Sequence, residues 1–345
     1  AALAEAHPDL VGADAIKEQV GDHPDVRHAL NWMWPVLTPA QLLHDLYGSK
    51  ALLASGAARV RPAEREALYR PWEVGMDASR VKWTVEDVPV LDEARELLGP
   101  RPRHTTEDEF RTYGHLGVDE AQDLSPMQLR MLTRRSLNGS MTIVGDIAQS
   151  TGAWAHNSWD EILDHLPDRR PPQRAELTVG YRIPKPAMDL AARILAEAAP
   201  DLKLPDSVRQ VGDEPQFVST PSHRSLVDTV VDAVVAESSQ TGVGNVAVIS
   251  PRSVYDGLVG AFERAGVMVG RAPRDGLERQ ITVVPVNLVK GLEVDAAVVV
   301  EPALIMEEEP QGARSLYVAS TRATKRLTMV YQRLLPSVLG QGSLF

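Results

Sequence analysis

Short, almost wholly apolar runs alternate with amphipathic helical stripes through the second half of this chain, and that alternation restricts the fold more than any other feature. The runs are residues 246–249, 281–286, 296–300 and 327–331. Each is too short for a helix and apolar on both faces, which predicts strands buried on both sides. Leu226, Val227, Val230, Val231, Val234 and Val235 precede the first run at helical spacing. Tyr255, Leu258, Val259 and Phe262 follow it and close near Gly266, and a further helix is predicted around 313–323. Strands alternating with helices predict an α/β fold with a parallel sheet.

The same alternation begins near residue 115. Residues 115–118 read as a strand that runs into Asp119-Glu120, and 141–144 as a strand that ends at Gly145-Asp146. Between them, Ser125-Pro126-Met127-Gln128 is a capping box with proline in the first turn, opening a helix through Leu129 and Leu132. Ser158 with Glu161 opens another over 158–166, with Trp159, Ile162, Leu163 and Leu166 as its apolar face. Residues 1–100 read as mostly helical. Thr38-Pro39-Ala40-Gln41 repeats the boxed start, Leu42, Leu43 and Leu46 share a face, and 92–98 forms a short helix stopped by Gly99-Pro100. Turn-rich 101–108 and proline-bearing 169–172 mark boundaries. The expected organisation is a helical region over 1–105, an α/β region over 106–172 and a second over 173–345.

Composition excludes several classes. With 43% hydrophobic and 24% charged residues, the chain is neither largely disordered nor collagen-like. No apolar run approaches the ~18 residues of a membrane span. His7, Pro8 and Asp9 interrupt the place of a signal-peptide core. Cysteine is absent, which excludes disulfides, zinc–thiolate sites and a cysteine nucleophile, and a cytoplasmic monomer is expected. The nine histidines show no metal-ligand spacing, and the acidic run at 307–309 reads as a solvated loop. The formal net charge of −11 makes non-specific binding to a polyanion unfavourable.

Asp119-Glu120-Ala121-Gln122-Asp123 is the sharpest local feature. Two adjacent carboxylates at the end of a strand suit magnesium–nucleotide chemistry, one holding the ion and the other orienting or deprotonating water. An isolated Asp-Glu pair is more often a solvated acidic turn, but the longer string between a strand and a capped helix favours the chemical reading.

This string resembles motif II of the UvrD/Rep group of superfamily-one helicases, and further matches follow in order. Residues 142–149, ending Gly145-Asp146-Ile147-Ala148-Gln149, are similar to motif III. Residues 177–182, ending Gly180-Tyr181-Arg182, resemble motif IV; Lys290-Gly291-Leu292-Glu293 resembles motif V; Ser320-Thr321-Arg322-Ala323 resembles motif VI. The resemblance implies RecA-like parallel sheets flanked by helices, with ATP and Mg²⁺ as cofactors. It implies that Asp119 holds Mg²⁺, that Glu120 is the catalytic base and that Gln149 senses the γ-phosphate or the attacking water. Arg182 and Arg322 would reach the γ-phosphate, Tyr181 would stack on adenine and Glu293 would accept from the ribose. Asp146 and Gly291 would complete the nucleotide site.

Departures from that pattern carry as much information as the matches. None of the seven lysines follows a glycine, so no Walker A loop is present. A C-terminal portion of a longer chain is therefore expected, inactive in ATP hydrolysis by itself. Arg182 and Lys290 stand 108 positions apart, which leaves no room for the accessory domain of the helicases beside the second RecA-like fold. After motif III, Trp154 is retained and the usual arginine is lost; before motif V, Asn287 replaces a usual histidine. These departures resemble HelD, the helicase-like bacterial ATPase family that binds RNA polymerase. Residues 38–46, 145–155 and 320–327 look like its actinobacterial branch. By that resemblance the partner is core RNA polymerase, the role is release or recycling of stalled complexes, and nucleic-acid contact is weak, through Trp154 and Asn287. A DNA translocase and a non-catalytic interaction module are the alternatives.

Overall fold

In the computed structural model, the described residues are 23–72, 77–99, 111–167, 170–272 and 278–340. The readings at 1–10 and 101–108 lie outside them, as does residue 169. The chain separates into two compact units, Ala1–Thr112 and Tyr113–Phe345.

The first unit is helical throughout its described elements: α1 (Pro24–Met33), α2 (Pro39–Gly48), α3 (Lys50–Gly56), α4 (Pro62–Leu68) and α5 (Val88–Leu98). Thr38 and Gln41 form the expected reciprocal cap on α2: Gln41 N donates to Thr38 Oγ1 at 3.0 Å and Thr38 N to Gln41 Oε1 at 2.9 Å. Leu43, Tyr47, Leu53 and Ala94 make a small core. Helix α5 starts at Val88, ahead of the predicted 92, because a proline in the first helical turn has no required N–H to lose.

That start is anchored by Asp87, whose side chain is buried. Arg70 grips it with both arms at 2.9 and 2.6 Å, and Thr84 donates from N and Oγ1 at 2.9 and 3.0 Å. Hydrogen bonding from Arg70 holds the Asp87 carboxyl below its ordinary value, against the opposing effect of burial. A depressed folded-state value stabilises the fold above the unfolded aspartate value and loses that stabilisation as pH falls through the folded one. Acid should therefore loosen this unit below about pH 4. The expected result is faster amide exchange in α2 and α5, corrected for intrinsic rates, and a flatter pH dependence in Asp87→Asn.

The second unit begins with β1 (Leu116–Val118) and β2 (Met141–Ile143), which pair in parallel with Leu116 opposite Met141. Between them runs α6 (Pro126–Arg135), capped by Ser125 and Gln128 as predicted. The expected helix at 158–166 is shorter: α7 covers Trp159–Leu163. His165 and Leu166 bond three residues back instead of four, ahead of Pro167, which disfavours helix at the residue before it. Next come β3 (Val179–Gly180), α8 (Lys185–Ala198) and β4 (Asp206–Ser207), with β3 and β4 paired in parallel.

The main sheet has six parallel strands in the order β5-β10-β9-β6-β8-β7. They are β5 (Gln216–Ser219), β6 (Val246–Ser250), β7 (Gly270–Arg271), β8 (Ile281–Pro285), β9 (Val294–Val300) and β10 (Ala323–Tyr331). Their apolar runs hide a period of two. Val246, Val248, Ala296, Val298 and Val300 face one core, shared with α9 (Leu226–Thr241) and α10 (Arg252–Arg264). Ala247, Ile249, Ala297 and Val299 face the other, shared with α8, α11 (Pro302–Glu308) and α12 (Gly312–Ser320). Phe262 is fully buried in the first core, and burying a side chain of that size contributes about 1.5–3 kcal/mol. The stripe on α9 buries Val230, Val231 and Val234 and packs Leu226 and Val227 at its edge; Val235 faces solvent. The acidic run closes α11 rather than forming a loop, with Glu307 paired to Arg333 at 2.6 Å and Glu308 bonded to Ser253. The architecture is thus α/β, a parallel sheet flanked by helices with a helical region before it. No helix of the described residues is long and apolar enough to cross a membrane.

Candidate functional site

The site starts where β1 ends. Asp119 and Glu120 are both exposed there, and Glu120 turns the chain with φ 50° and ψ 40°. Left-handed backbone costs a non-glycine residue about 1–2 kcal/mol, so its surroundings must hold it. Glu120 N donates to Asp119 Oδ1 at 2.8 Å, and Ala121 N donates to Val144 O at 3.1 Å. Gln122, fully buried, donates from Nε2 to Glu120 Oε2 at 2.6 Å.

From Gln122 a one-way chain of hydrogen bonds leads across the site. Asp146 N donates to Gln122 Oε1 at 3.0 Å, Gln149 Nε2 to Asp146 Oδ2 at 2.8 Å, and Arg322 Nη2 to Gln149 Oε1 at 2.8 Å. Every donor points from Arg322 toward Glu120. Two amide side chains make this feasible, since each donates with nitrogen and accepts with oxygen, and bonds aligned in one direction polarise one another. The close approach of the first two segments requires Gly145, where a Cβ would lie 2.3 Å from Gln122 Oε1.

Arg322 itself is buried just beyond α12, and its Nε donates to Val318 O at 3.1 Å. Burial, then the like charge of Arg182, lowers its pKa from the ordinary arginine value; Tyr317, Glu120 and Asp146 oppose that shift. Burial, with the Asp146 charge, raises the Tyr317 phenol. Arg182 forms an ion pair with Glu293, and Arg209 holds the Arg182 carbonyl at 2.6 Å. Lys290 pairs with Asp123, and Gly291 takes φ 73° beside it. Glu120, Asp146, Gln149, Arg182, Glu293 and Arg322 are thereby gathered around one place. Tyr181, 80% exposed, presents a bare ring next to Arg182. Trp154 and Asn287 are exposed and stand outside the chain of bonds.

Two residues without a role in the sequence reading prove central. Gln122 was visible only as a letter within an acidic string. Arg314 is 96% buried in α12, a lone charge amid Ala313-Arg314-Ser315-Leu316, and its position in that apolar stretch was the available signal. Among the described residues, no three carboxylate or histidine side chains converge as a metal cage. Asp119 as a single exposed carboxylate still fits Mg²⁺, which keeps waters and takes its remaining ligands from nucleotide phosphates. The uncovered Tyr181 ring fits a nucleobase.

Comparison with known proteins places one segment. Residues 280–330, from β8 through most of β10, match the family of UvrD-like helicase C-terminal domains. The chain is similar to the C-terminal domain of a possible DNA helicase from Lactobacillus plantarum WCFS1, with 27% identity and a TM-score of 0.38 over 48% of this chain and 95% of that one. It is also similar to an arterivirus helicase, nonstructural protein 10, solved in complex with DNA, with 19% identity and a TM-score of 0.26. That match covers 35% of this chain and 29% of the viral one. No curated protein matches the chain.

Proposed function

We propose that this chain is the C-terminal motor portion of a helicase-like ATPase of the HelD type, which binds RNA polymerase and uses ATP-driven domain motion to release stalled or inactive transcription complexes. The observation that carries the ATPase half is the unbroken chain from Arg322, within the helicase-family segment, through Gln149, Asp146 and Gln122 to Glu120. It links a cation able to neutralise phosphate charge to a carboxylate able to take a proton from water. ATP with Mg²⁺ supplies the phosphoanhydride and the charge clamp on its phosphates. Asp119 would face the ion, Tyr181 the adenine, and Arg182 and Arg322 the γ-phosphate. Arg182 must leave Glu293 to do so, which frees Glu293 for the ribose.

The polymerase half rests on the HelD-like departures in motifs III and V and on the acidic balance of the chain. The full-length protein should retain core RNA polymerase in a pull-down at low and moderate salt; no retention in either sinks the polymerase half. A DNA translocase is favoured by a different observation: Trp154 is 61% exposed and free to stack on a base. Strong stimulation of full-length ATPase by single-stranded DNA would favour that reading, and turnover indifferent to DNA the first.

A further inference from the structure

Residues 150–157 leave and re-enter the site through a narrow neck. Ser150 Oγ donates to Gln122 O and accepts from His156 N, both at 2.9 Å, while the tip at 152–154 is exposed and carries Trp154. Across the site, α12 reaches this neck with Arg314. Its Nη1 donates to His156 O at 3.1 Å and more distantly to Ser150 O at 3.4 Å, and its Nη2 donates to Asn157 Oδ1 at 3.0 Å. The three partners are neutral, and Nε has no partner at all.

A buried guanidinium whose hydrogen-bond partners are neutral, with only the Glu161 charge nearby to offset its burial, is a poor device for stability. Removing an ion from water costs several kcal/mol, and carbonyl oxygens return only part of that. What Arg314 does supply is geometry. Its planar fork fixes both ends of the Trp154 loop to α12, and the chain leaves α12 directly into Arg322, whose Nη2 lies on Gln149 next to that same neck.

We infer that Arg314 is a positioning residue that sets Arg322 against Gln149 by locking α12 to the neck of the Trp154 loop. The inference rests on the ATPase reading and adds to it a residue that holds the γ-phosphate arginine in place.

The test is steady-state ATPase of the full-length protein with wild type, Arg314→Met, Arg314→Lys and Asn157→Ala, each with and without Arg322→Ala. A misplacement of about 1 Å at a reacting centre lowers turnover by about 100-fold. Arg314→Met should therefore lose about that much kcat with the KM for ATP unchanged. Its Tm should fall somewhat, because Met leaves the buried carbonyls of Ser150 and His156 without that donor, so the positioning role is read from kcat against KM and from the Arg322→Ala background. Arg314→Lys should not rescue, since an ammonium cannot span both ends of the neck. Exposed Asn157 removes one bond without disturbing the core, so Asn157→Ala should lose severalfold in kcat at wild-type Tm. In the Arg322→Ala background, neither change should lower turnover further. Wild-type kcat in both Arg314→Met and Asn157→Ala, or losses that multiply with Arg322→Ala, overturns the positioning role alone. Absence of turnover in the wild type overturns the ATPase reading itself.

Discussion

Replacing Arg322 with alanine in the full-length protein should lower ATP turnover by about 10³- to 10⁵-fold, the range seen for arginines that neutralise a transferring phosphoryl group. The geometry argues for the upper part of that range. Arg322 is 4% exposed and held from two sides, by the Val318 carbonyl and by Gln149. Such a cation is preorganised, so little reorganisation is needed when charge develops on the phosphate. Lysine should not rescue, because one ammonium cannot hold both partners and reach a phosphate oxygen. Single-turnover measurement at saturating ATP checks the effect, and near-normal turnover would remove Arg322 from the site.

Glu120→Gln should be the second large effect, about 10²- to 10⁴-fold in turnover, as expected for loss of a general base. This substitution is chosen for what it keeps. The glutamine carbonyl still accepts from Gln122 Nε2, so the buried amide retains its partner and the melting temperature should stay at the wild-type value. Glycine would be a poor substitute despite the left-handed backbone at this position. It would relieve about 1–2 kcal/mol of strain but strand Gln122, and an unpaired buried amide costs about 1–3 kcal/mol. A Glu120→Gln protein with unchanged kcat would transfer the base role elsewhere.

The four inner strands of the sheet were legible because they are apolar on both faces, and a short run of that kind has few other homes; the edge strands β5 and β7 carry no such run. Helices that open on proline without a side-chain cap before it were not legible. Helix α8 opens after Pro184 with Pro186 in its first turn, and α11 opens at Pro302 behind a left-handed Glu301. In both, the proline that permits a helical first turn also reads as a loop. At the site, Asp119 and Glu120 stood out as a carboxylate pair at a strand's end, and Asp146, Gln149, Arg182, Glu293 and Arg322 were singled out by the resemblance to helicase motifs. Their connections were not. Gln122 finds Asp146 at a separation of 24 residues and Arg314 finds Ser150 at 164, and no local periodicity encodes partners that only the folded chain brings together. The ion pair between Arg182 and Glu293, 111 residues apart, belongs to the same class.

The strand order also has a consequence for biosynthesis. Strand β10, last of the described strands to leave the ribosome, belongs in the interior of the sheet, between β5 and β9. Until it emerges, both of those strands keep an unpaired edge, and a nascent chain in that state offers a template for wrong pairing. Arg322 immediately precedes this strand, so its side chain and the keystone of the sheet arrive together. An unfinished chain can therefore neither close its sheet nor complete the run of hydrogen bonds from Arg322 to Glu120.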